Sequence, residues 1–101
     1  MATVVSTQNI NTPAILTAAG TALAANRARI GWSIQNLGTN PLFVLLGSGA
    51  STSVFHYVLK GGTASDDGLG GSLVFNDVTV YNGIVTVAGT SPRFVVTEIA
   101  P

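Results

Sequence analysis

A chain of 101 residues without cysteine forms one domain, held by burial and hydrogen bonding rather than by disulfides or thiolate metal sites. Only 8% of its residues are charged, against roughly 25% in an ordinary globular domain, and the formal net charge is zero. The basic residues are Arg27, Arg29, Lys60 and Arg93, too few to neutralise a run of phosphates, which sets direct nucleic-acid binding aside.

Residues 1–12, MATVVSTQNINT, read as a polar extended arm with a β-prone patch at Thr3, Val4 and Val5. They lack the basic and long apolar regions of a secretory signal. No later stretch approaches the roughly 20 apolar residues of a membrane helix. Synthesis in the cytoplasm, with retention there or release by lysis, is the expectation. Residues 13–101 then read as a single β domain. In "AILTAAGTALAA" the alanines allow a short helix, but Gly20 interrupts it and no cap is evident. Two short strands near 14–18 and 21–24, with a turn at Ala19-Gly20, are expected instead.

From Arg29 to Gln35 the residues alternate. Ile30, Trp32 and Ile34 fall on one face, and Arg29, Gly31, Ser33 and Gln35 on the other, the period of a half-buried strand. "NLGTNP" supplies Asn36, Gly38 and Asn40, which tolerate positive φ, and Pro41 at a strand entrance. "LFVLL" is apolar on both faces and predicts a central strand covered on both sides. "VFHYVLK", 54–60, alternates again, and "GGTASDDGLGG" is a long loop before a short strand, "SLVF". In "VTVYNGIVTV" the Asn82-Gly83 pair lies between two β-branched runs and predicts a two-residue type I′ hairpin. "RFVVTEIA" closes the chain, with Phe94 and Val96 opposite Arg93, Val95 and Thr97. Eight or nine short strands at this spacing predict an all-β, antiparallel sandwich, jelly-roll-like or otherwise Greek-key, with an open barrel as the alternative.

No constellation of residues carries catalysis. His56 is the only histidine, and no Gly-x-Ser-x-Gly elbow or second base accompanies it. It cannot form a zinc site without further His or Cys ligands. Asp66-Asp67-Gly68 is the only acidic pair and reads as a solvated turn rather than a calcium loop. The nearby glycines lack the Gly-Lys-Ser/Thr of a phosphate cradle. No catalytic, metal or cofactor-binding residue is therefore assigned. Most aromatics sit where core positions fall, and Trp32 and Tyr57 are the two candidates for a ligand-facing ring. Arg27 and Arg29 either bond a partner or sit solvated at a turn. A surface this poor in charge fits burial against copies of the chain or a partner; the alternative is a soluble monomer coated with Thr, Ser, Asn and Gly. Thr3, Val4, Val5, Arg27 and Arg29 are the candidate assembly residues.

"LAANRARIGWSIQNLGTNPLFVLLGSGAS", "FHYVLKGGT", a Gly-rich loop and "TVYNGIVTVAGTSPRFVVTEI" occur in an order that resembles small bacteriophage virion proteins, of the capsid decoration (cement) or head-fibre kind. The resemblance spans residues 21–99. It implies a non-enzymatic structural subunit, often a homotrimer, bound to the major capsid protein or another virion protein on the outer capsid surface and stabilising the shell. It carries over no catalytic residue. Other functions left open are a glycan- or receptor-binding module using Trp32 and Tyr57, and a tail or baseplate component. No cofactor, membrane or direct nucleic-acid partner is expected.

Overall fold

The computed structural model describes residues 9–76 and 80–101. Among these residues there is no helix, and nine strands form two antiparallel sheets. The strands are β1 (Asn9–Ile10), β2 (Ile15–Leu16), β3 (Gly20–Leu23), β4 (Gly31–Asn36), β5 (Leu42–Leu46), β6 (Tyr57–Leu59), β7 (Ser72–Asn76), β8 (Val85–Ala88) and β9 (Phe94–Ala100). The first sheet runs β1-β9-β4-β7, and β2 also pairs with β9, beyond the end of β1. The second runs β3-β8-β5-β6.

The alternation in the sequence decides which face points inward. Trp32 and Ile34 of β4 and Phe94 and Val96 of β9 meet Leu42 and Val44 of β5, Leu59 of β6, and Val85 and Val87 of β8. These nine side chains form one buried cluster drawn from both sheets, a sandwich-like arrangement. Each contributes about 1.5–3 kcal/mol by leaving water. Phe75 of β7 stacks on Trp32 with ring centroids 4.9 Å apart, and Tyr57 of β6 meets Phe75 edge-on at 6.1 Å. One flank of the sandwich, between β6 and β7, is thus closed by aromatic rings. At the opposite flank three residues join β2 to β3.

Three sequence expectations change in the structure. The Asn82-Gly83 hairpin does not form: β8 lies between β3 and β5 in one sheet, while β7 pairs with β4 in the other. Neither Asn82 nor Gly83 has the positive φ a type I′ turn requires. The "NLGTNP" turn is likewise made without positive φ at Asn36, Gly38 or Asn40. The strand expected over 54–60 shortens to Tyr57–Leu59, because residues before it fold over the outer face of β5. There Phe55 packs edge-on against Phe43 at 4.9 Å, and Ala50 N–H donates to the Thr86 hydroxyl at 3.1 Å. The second cover expected for β5 is therefore its own following loop.

The loop at 61–71 lies flat on the turn 36–40. A Cβ at Gly61 would strike the Thr39 carbonyl, and one at Gly70 the Asn36 carbonyl, so glycine at both positions permits the backbones to touch.

Candidate interaction surfaces and the polar residues behind them

Arg29 stands just before β4, and its side chain is wholly buried. Its Nε donates to Glu98 Oε2 at 2.8 Å. Its Nη1 donates to the carbonyls of Tyr81 (2.8 Å) and Gly83 (3.0 Å), and its Nη2 to that of Ala24 (2.6 Å). The fork of guanidinium donors thus ties three segments at one end of the sandwich. Arg29 was expected either to reach a partner or to lie in solvent; instead it faces inward, because three carbonyls and a carboxylate converge there. Arg27 is exposed, its carbonyl accepting from Asn82 Nδ2 at 3.3 Å. Thr3, Val4 and Val5 lie outside the described residues. The described chain begins on the outermost strand of the first sheet, where Asn9 and Ile10 pair with Ala100 and Ile99. Asn11 Oδ1 accepts from Glu98 N–H at 2.7 Å, so the last residues of the expected arm dock on the chain's own β9.

At the other end, Arg93 makes a two-pronged pair with Asp66, Nε to Oδ1 and Nη2 to Oδ2, each at 2.7 Å. The hydrogen bond from Arg93, reinforced by its charge, holds the Asp66 carboxyl below its ordinary value and raises the guanidinium in turn. The Asp67 carboxylate accepts from the N–H groups of Ala64, Leu69 and Thr63, and those bonds hold it low. Asp66 has a φ of 60°, a conformation Asp tolerates in turns. The acidic pair therefore shapes its loop. Among the described residues, no group of three His, Cys, Asp or Glu side chains is placed to hold a metal ion.

Two polar side chains do work that the sequence reading did not assign to them. Asn36 is buried, and its Nδ2 donates to the carbonyls of Asn40, Leu59 and Lys60 at 2.9–3.2 Å while its Oδ1 accepts from Gly38 N–H. Thr86 is buried on the outer face of β8, donating to Gly47 O at 2.6 Å and accepting from Ala50 N–H. Their signal in the sequence was weak: an Asn at a strand end and a Thr among valines. His56 is exposed, and its Nδ1 accepts from Leu46 N–H at 3.0 Å.

Of the two rings expected to face a ligand, Trp32 is 2% exposed and packs in the core. Its Nε1 is buried without a hydrogen-bond partner among the described residues. Tyr57 is partly exposed, with one edge on Phe75. The outer face of the first sheet is dished over Gly31, where a side chain is missing. This concavity of about 170 Å³ is lined by Ser33, Val74, Thr97 and Ile99 over a floor of Trp32 and Phe75.

The exposed large hydrophobic side chains follow a pattern. Ile10 and Ile15 lie on β1 and β2. Val54, Phe55, Tyr57, Val58 and Val74 lie on or beside β6 and β7. Among the described residues, only Leu69, in the 61–71 loop, falls elsewhere. Ile10, Ile15, Tyr57, Val58 and Val74 therefore lie on strands with one neighbour among the described residues, while Phe55 packs on Phe43 over the outer face of β5. No family model, curated protein or solved structure matches the chain.

Proposed function

We propose that the chain is a non-enzymatic structural subunit of a bacteriophage virion, a capsid decoration (cement) protein that binds the outer capsid surface as a homo-oligomer, with a trimer favoured, and stabilises the shell. The carrying observation is where the charges go. Arg29 and Glu98, and Arg93 and Asp66, pair within the chain, and Asp67 caps its own loop. What faces outward carries few charges, Arg27, Lys60, Asp66 and Asp67 among them, with apolar side chains on the edge strands. Such a surface suits association with copies and a protein shell, and leaves little with which to do acid–base chemistry or bind phosphate.

The finer fold assignment belongs to the same reading. The strand order β1/β2-β9-β4-β7 facing β3-β8-β5-β6 supports a jelly roll, since six of the eight connections cross from one sheet to the other. The major capsid protein, or another virion protein, is the partner of this reading. The burial of Trp32 removes one of the two rings that a glycan-binding module relied on. The same reading has Thr3, Val4 and Val5 add a strand to a neighbouring subunit.

Mass spectrometry of purified particles is the test. The chain is expected among the particle proteins at high copy number and accessible to surface labelling. Its absence from particles would defeat the reading. Deletion of residues 2–8 is expected to leave the domain folded and weaken its binding to particles.

A further inference from the structure

We propose that Asn82-Gly83 is a site of spontaneous chemical modification: Asn82 deamidates through a cyclic imide formed with the Gly83 main-chain nitrogen, and the isoaspartate that results opens the Arg29 clamp. The chemistry needs only water and is independent of what the chain binds.

No hairpin forms at this pair, and the structure gives each residue another reason to be there. A Cβ on Gly83 would strike the Tyr81 ring, so only glycine lets that ring lie against the chain. Asn82 is exposed. Its carbonyl accepts from Asn26 N–H at 2.8 Å, and its Nδ2 makes one long bond, 3.3 Å, to the Arg27 carbonyl. The Gly83 N–H makes no hydrogen bond among the described residues. Of the chain's asparagines only Asn82 precedes glycine, the residue that hinders approach to its own nitrogen least. Asn40 precedes Pro41, which has no N–H to ionise, and Asn36 is buried with its Nδ2 donating to three carbonyls. Asp67-Gly68 is an aspartate pair that closes the same ring, but closure there needs the protonated acid. The N–H groups of Ala64, Leu69 and Thr63 hold Asp67 ionised.

The Gly83 nitrogen gives up its proton to base in the solvent and attacks Asn82 Cγ. The new N–Cγ bond replaces Cγ–Nδ2, and Nδ2 leaves as ammonia after taking a proton from water. Water then opens the imide. Opening at Cγ leaves aspartate. Opening at the Asn82 main-chain carbonyl leaves isoaspartate, whose chain runs through Cγ and is longer by a methylene. Either product adds a negative charge to a chain whose net charge is zero. Asn82 lies between the two carbonyls, of Tyr81 and Gly83, that share Arg29 Nη1 at 2.8 and 3.0 Å. A methylene inserted between two acceptors of one nitrogen lengthens the span they must bridge, so isoaspartate costs the clamp one of these bonds. Aspartate keeps the spacing and both bonds.

Peptide mapping by mass spectrometry of the folded chain, stored in mildly alkaline buffer, tests the site. Asn82 should convert ahead of every other asparagine, and the Asn82→Gln variant should stay unmodified at that position over the same period. Faster conversion at another asparagine would overturn the proposal. So would an Asn82 that stays intact in the folded chain while the urea-unfolded chain converts. The consequence for the clamp is read from stability. The modified chain is isolated by its added charge, and fragmentation that distinguishes isoaspartate from aspartate assigns the product. The isoaspartate form should unfold at a lower urea midpoint than the Asn82→Asp variant, which carries the same charge on an ordinary backbone. Equal midpoints would overturn the link to Arg29.

Discussion

Two arginine–carboxylate pairs hold opposite ends of this sandwich, and they are not worth the same. Arg29 has no exposed side-chain surface, and its guanidinium serves three carbonyls besides Glu98. Arg93 is a third exposed, Asp66 nearly half, and each is the other's main partner. The distances are almost the same, 2.8 Å and 2.7 Å, so bond length does not separate them. What separates them is what is left behind when the arginine is removed. At the Arg93 end water replaces the lost partner. At the Arg29 end a partly buried carboxylate and three carbonyls lose one shared donor whose own side chain is wholly buried.

The largest expected effect follows from that difference. Arg29→Ala should destabilise the fold by about 3–5 kcal/mol, read from the urea midpoint, because breaking a buried pair strands its partners. A loss no greater than that of Arg93→Ala would break the comparison. Asn36→Ala comes next. It removes an uncharged clamp at the Arg93 end, and should cost about 1–3 kcal/mol for the carbonyls of Asn40, Leu59 and Lys60 that lose their donor. If it outweighs Arg93→Ala, burial rather than charge sets the value of a polar contact here.

Thr86→Val is smaller, about 1 kcal/mol, since one hydroxyl is lost and the shape is kept. Its readout is local: amide exchange should speed up at Ala50, whose N–H loses its acceptor. The smallest effect belongs to the Asp66–Arg93 pair. Asp66 and Asp67 titrate lower in the folded chain than unfolded. Their contribution is therefore full above the ordinary carboxylate range and is lost as pH falls through the folded values, below about pH 4. Arg93→Ala should flatten the Asp66 part of that acid limb in a pH series of melting temperatures, with a small loss at neutral pH that disappears as pH falls below the carboxylate range.

The sequence made some of these elements plain and hid others for a physical reason. The inward faces of β4 and β9 were legible, since Trp32, Ile34, Phe94 and Val96 alternate with smaller or polar residues. Asn82-Gly83 misled because it is a strong local signal, whereas the partners of β8 lie far away at β3 and β5. Arg29 is the sharpest case. Its partners Tyr81, Gly83 and Glu98 are 52 to 69 positions away, so no window around it could reveal its burial. The same is true of the flanks. Ile15 and Val58 each look like ordinary strand residues, and only the strand order shows that they lie on edge strands at opposite flanks of the sandwich.

The polar residues described above hold the shape of this chain, and the proposed function has its charge-poor outside associate with copies of itself. Static light scattering of the purified chain over a hundredfold dilution tests that most directly. A mass of about three times the 10.2 kDa chain, held on dilution, is expected of a trimeric subunit. A mass of one chain at every concentration would contradict it.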